Sequence, residues 1–138
     1  MSTPYDRSHR LPFPMLMVYL ATDEHRVGPL PALLDTGADF TLVPTPLLEL
    51  IGAEDTGLTR VRTHFGDSHL HRAYGINVEV DGVTVLSVFA IGDDERNEVI
   101  LGRDVLNKLP LFLDRPQRQT QLLDDATVKR LRARRSRP

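Results

Sequence analysis

Cysteine is absent from the chain, which removes disulfides and thiolate chemistry from consideration. Long hydrophobic runs are missing too. The early apolar stretch Leu16–Leu20 is too short and begins too late for a signal peptide or a membrane span of about 20 residues. These absences predict a cytoplasmic location and no contact with membranes. Charge of one sign is also scarce, with a formal net charge of −2, but the balance is uneven. Lys129, Arg130, Arg132, Arg134, Arg135 and Arg137 give the last ten residues +6, which leaves −8 for residues 1–128. At 138 residues the chain can bury one modest core, and two lobes would not fit.

What is present reads mostly as strand. Residues 1–12 are polar and are expected to form a flexible segment, with Pro12 and Pro14 leading into the buried strand Met15–Leu20. A turn or loop is expected around Asp23–Arg26 and Gly28-Pro29, then a second apolar strand, Ala32-Leu33-Leu34, ending at Asp35. Leu42-Val43-Pro44 resumes the apolar pattern, Thr45-Pro46 opens a short helix closed by Gly52, and residues 58–65 look extended. Ile76, Val78 and Val80 alternate with polar residues before Asp81-Gly82, which predicts a hairpin returning through Val83–Ile91. Val99–Gly102 is a short buried strand, Arg103–Leu109 has helical spacing, and residues 111–113 and 120–123 form a last hairpin. The class is mainly β with one or two short helices. The main domain spans residues 13–124, and residues 125–138 form a basic tail.

The most informative segment is Leu33-Leu34-Asp35-Thr36-Gly37-Ala38-Asp39, where a carboxylate follows an apolar strand into a tight turn. Burying that group without a partner would cost several kcal/mol or force it to take up a proton. The second Asp-Thr-Gly, Asp55-Thr56-Gly57, is an internal control. Gly52-Ala53-Glu54 precede it in place of an apolar strand, and Leu58 replaces the small residue after glycine. Asp55 therefore reads as a solvated turn residue.

Ala32–Asp39 and Val99–Leu106, in that order and with a hairpin between them, resemble the two signatures of the retropepsin-like, single-lobe aspartic proteases. The resemblance implies a single-lobe acid-protease β-barrel that forms a two-fold symmetric homodimer. It also implies an aspartic endopeptidase acting on peptide or protein substrates through Asp35 of both chains, with no cofactor and no metal. Thr36 and Gly37 complete the catalytic turn: the threonine hydroxyl would donate across the dimer, and glycine admits substrate backbone where a Cβ would intrude. Ala38 keeps the adjacent wall small. Asp39 is implied to contact substrate main chain while pairing with Arg103, which gives structural support.

A flap is expected over residues 63–74, its tip near Phe65-Gly66-Asp67-Ser68, so that His64, Phe65, Gly66 and Asp67 contact substrate. It departs from the glycine-rich, apolar retroviral pattern by carrying His64, Asp67, His69, His71 and Arg72. The His69-x-His71 pair shares a strand face, but no third ligand is evident. Val99 and Ile100 are expected to line the cleft beside Glu98, Asp93 and Asp94, with one of the two alternating side chains given to the core. The basic tail reads as a frayed helix or a disordered basic arm at a solvated terminus, with nucleic-acid contact or docking onto the acidic body as alternatives, and no aromatic residue is interleaved there to stack on bases. The rival for the whole chain is a non-catalytic dimerisation or peptide-binding module that retains the protease fold.

Overall fold

The computed structural model describes residues 2–62 and 66–136. Its strands are β1 (Ser2–Pro4), β2 (Met15–Ala21), β3 (Arg26–Leu34), β4 (Leu42–Pro44), β5 (Glu54–Arg62), β6 (Ser68–Val80), β7 (Val83–Asp93), β8 (Val99–Leu101), β9 (Leu111–Asp114) and β10 (Gln119–Leu122). Its helices are α1 (Thr45–Leu50), α2 (Arg103–Leu106) and α3 (Asp125–Arg135).

The main sheet runs in the order β2-β3-β8-β4-β7-β6-β5, and a further pairing of β2 with β6 closes it into a barrel. β5 stays outside the ring and, among the described residues, bonds to β6 alone. Two parallel pairs hold the centre: β3 with β8, where Leu33 sits opposite Ile100, and β4 with β7. Alternation then sorts the side chains. Val18, Leu20, Leu34, Val43, Val78, Val99 and Leu101 point into the core, where Leu48 of α1 and Val105 of α2 join them. Burying each such side chain contributes roughly 1.5–3 kcal/mol.

Local chemistry accounts for most of the boundaries. Asp81 and Gly82 both have positive φ, 46° and 81°, as the tight turn between β6 and β7 requires. Pro46 lies in the first turn of α1, where a missing N–H costs nothing, and Gly52 follows the helix at φ 66°.

Other boundaries differ from the sequence-based expectation. Gly28 and Pro29 lie inside β3, which starts at Arg26. At φ 141°, a Cβ on Gly28 would stand 2.7 Å from the Val18 carbonyl oxygen, so glycine is needed for the close crossing of β2. Arg26 reinforces that crossing, lying 3.6 Å over the Tyr19 ring and donating to Glu79 at 2.8 Å. The segment expected to be flexible, residues 1–12, contributes β1, which pairs with β10 and through it with β9, and Tyr5 beside it is buried. β5 begins at Glu54, ahead of the extended stretch read from residue 58. Asp55 is thus a strand residue and not a turn residue. It accepts from the Gly57 amide at a bulge and pairs with Arg72 at 2.9 Å. Among the described residues, no helix is long and apolar enough to cross a membrane.

Candidate active site

β3 delivers Asp35 to the edge of the barrel, and its parallel partner β8 fixes the height of the turn that follows. The Asp35 amide donates to the Leu101 carbonyl at 3.0 Å, and the Arg103 amide to the Ala38 carbonyl at 2.9 Å. The loop after β3 is therefore stitched to the chain on both sides of Gly102. Within the turn, one Asp35 carboxylate oxygen accepts from the Gly37 amide at 2.9 Å, and the Ala38 amide closes back on the Asp35 carbonyl. Among the described residues, no side chain hydrogen-bonds to Asp35. Its other oxygen stays available at the surface.

Arg103, at the start of α2, clamps the turn from the side. Its guanidinium donates to the Thr36 carbonyl at 2.6 Å and to the Asp39 carboxylate, forming an ion pair. The Asp39–Arg103 pairing implied by the resemblance is thus present as geometry. Thr36, Gly37 and Asp39 are exposed, and Ala38 is half-buried beside them.

The structure also contains supports that the sequence reading did not single out. Thr41 is fully buried, and its hydroxyl donates to Asp104 at 2.8 Å while accepting from the Gly102 amide at 3.2 Å. The Thr41 amide donates to the same Asp104 carboxylate. Gly102 has no room for a side chain, since a Cβ would lie 2.5 Å from the Phe40 carbonyl oxygen and 3.0 Å from that of Ala38. The sequence signals for this network were Thr41, two residues past the first signature, and Asp104, inside the second, and neither carries an alternation cue.

Several expected cleft residues have other tasks. Val99 packs in the core, and only Ile100 shares the opposite face with Leu33. Strict alternation gives each of two neighbours its own face, and here Val99 takes the core side of β8. Glu98 is engaged by the N-terminal segment, its carboxylate 3.1 Å from His9. His9 in turn contacts Asp6, whose hydrogen bond raises the imidazole pKa above its ordinary value. Asp93 caps its own loop by accepting from the amides of Glu95 and Arg96, and Asp94 accepts from Thr45.

β5 and β6 project as a hairpin with Arg62 opposite Ser68. Gly66 and Asp67 are exposed at its tip, while His64 and Phe65 lie outside the described residues. Val61 opposes His69 and Thr59 opposes His71, so both imidazoles share one face. No group of three or more metal-ligating side chains converges among the described residues.

A closed barrel whose β3 and β8 hold an Asp-Thr-Gly turn against an arginine-led second signature defines an acid-protease lobe with one carboxylate. The family model described as "gag-polyprotein putative aspartyl protease" matches residues 25–108, well over half of the chain. The chain belongs to this retropepsin-like family.

Among solved structures, the crystal structure of a retropepsin-like aspartic protease from Rickettsia conorii is 14% identical, with 88% of each chain covered and a TM-score of 0.59. The solution structure of the simian foamy virus (mac) protease is 19% identical over 67% of this chain and 91% of that one, at a TM-score of 0.49. The retroviral protease-like domain of Ddi1 from Leishmania major is 18% identical over 78% and 87%, at 0.48. At these identities the first of the three supports the fold and nothing finer. No curated protein sequence matches the chain.

Proposed function

We propose that the protein is a homodimeric aspartic endopeptidase in which Asp35 of each chain meets its counterpart near a two-fold axis. One observation carries this reading. Asp35 is held by a backbone amide through one oxygen, at the end of a core strand, and among the described residues its second oxygen is unengaged and no side chain of its own subunit partners it. Two such carboxylates a few ångströms apart cannot both ionise cheaply, so they share a proton and titrate as a unit.

The ionised member takes a proton from a bound water, whose oxygen attacks the scissile carbonyl carbon. The protonated member gives its proton to the carbonyl oxygen, forming a geminal diol. Collapse of the diol breaks the C–N bond as one carboxyl group gives its proton to the leaving nitrogen and the ionised carboxylate takes a proton from a diol hydroxyl. Arg103 holds Thr36 and Asp39 in place for this chemistry, and the β5–β6 hairpin serves as the flap that covers bound peptide. A concavity of about 610 Å³ between the β2–β3 turn, β5, β6 and β7 is lined by none of Asp35, Thr36, Asp39 and Arg103.

Asp35→Asn tests the proposal directly. The variant is expected to keep its fold and dimeric state while cleavage of a denatured protein or peptide library falls by orders of magnitude. Asp55→Asn, which removes only an exposed ion pair worth up to about 1 kcal/mol, is expected to leave cleavage unchanged. Retained cleavage in the first variant, or lost cleavage in the second, overturns the assignment. Wild-type dimer that binds peptides without hydrolysing them from acidic to neutral pH establishes the non-catalytic module instead.

A further inference from the structure

The helix α3 has no place in the proposed chemistry. It is a regular helix from Asp125 to Arg135, capped by the Asp124 carboxylate accepting from the Thr127 amide at 2.7 Å, and none of its residues is buried. A helix kept by tertiary packing shows an apolar stripe. This one shows none. At about 3.6 residues per turn, Lys129, Arg130, Arg132, Arg134 and Arg135 fall on every side of the cylinder. None of the five is in an ion pair among the described residues, and no carboxylate follows Asp125 along the helix.

We propose that α3 is a docking helix for nucleic acid, binding the phosphodiester backbone through its arginines without regard to base sequence. Three properties favour this occupant. Arginine outnumbers lysine four to one on the helix, and its planar fork matches phosphate oxygens two at a time. A helix that lies on a lipid surface needs an apolar face, but here Val128 and Leu131 stand among charges. The chain ahead of the helix, residues 1–124, carries −7, so a polyanion approaches the helix and is turned away from the body. The absence of aromatic side chains from the helix removes base stacking and leaves the phosphates as the ligand.

The test is anisotropy of labelled, mixed-sequence single-stranded and duplex oligonucleotides titrated with the full-length protein at several salt concentrations. Five neutralised phosphates give a log–log salt slope near −3.5 on single strands, or about a 100-fold loss of affinity between about 50 and 200 mM salt. Replacing Arg130, Arg132, Arg134 and Arg135 together by glutamine, a residue of similar helix propensity, is expected to abolish binding without changing the unfolding temperature. Replacing the same four by lysine is expected to retain most of it.

Lack of binding by the wild type at low salt overturns the proposal, as does equal binding by the glutamine variant. So does binding to anionic vesicles alone. Salt-sensitive self-association that the glutamine variant loses, without oligonucleotide binding, assigns the helix to the acidic body of a second copy and overturns it too. Peptidase activity is read separately, so failure of either proposal leaves the other standing.

Discussion

Gly102 shows how tightly single residues constrain the site. Its α-carbon lies where the active-site loop crosses the second signature, and a methyl group there would meet the Phe40 backbone, which has no soft direction in which to yield. Gly102→Ala is therefore expected to destabilise the fold by about 1–3 kcal/mol, read as a lower urea midpoint with an unchanged slope. It should reduce cleavage beyond what the lost stability explains, because Arg103 moves with the backbone. Asp35, Asp39 and Arg103 were legible in the sequence because a signature marks each of them. The bond between Thr41 and Asp104 was not, since Asp104 lies inside the second signature but Thr41 lies outside the first, 63 positions away, and nothing local pairs the two. Glu98 was read as a cleft wall for the same reason: its true partner, His9, lies in a segment that looked featureless.

Hairpins were the most readable elements. Asp81-Gly82 encodes its turn through the positive φ that both residues adopt, and Ile76, Val78 and Val80 encode the buried face of β6. The N-terminal half of β3 and the start of β5 escaped because polar or turn-forming residues are tolerated wherever a strand crosses closely or lies at an edge. The tail left helix and disordered arm both open, since no residue of the helix is buried and no apolar stripe marks it. Its cap makes a prediction at this scale. The amide of Thr127 lowers the Asp124 pKa below the ordinary carboxylate value, so this cap stabilises the helix above the unfolded-state pKa and loses its effect as pH falls through the lowered one. Far-UV circular dichroism is expected to show helix content falling in that acid range, and Asp124→Ala is expected to lower it at neutral pH and flatten the acid response.

For the whole molecule, the catalytic centre proposed above, split between two chains, makes association the test of activity. Specific activity is expected to fall on dilution, in parallel with the loss of dimer seen by sedimentation, and to be restored by reconcentration. Mixing wild-type and Asp35→Asn subunits should give less activity than the wild-type fraction alone supplies, because mixed dimers carry one competent carboxylate. A monomer with undiminished specific activity contradicts this arrangement.

The link between Thr36 and Arg103 spans 67 positions of sequence, and the β3–β8 pairing spans a similar distance. Loops of that length close late, after the neighbouring hairpins β2–β3, β5–β6 and β6–β7 have had time to form. A nascent chain therefore carries no functional centre until residue 103 has emerged, even though Asp35 appears early. In the proposed peptidase, this order of assembly keeps the site incomplete while the chain's own unfolded strands are still exposed.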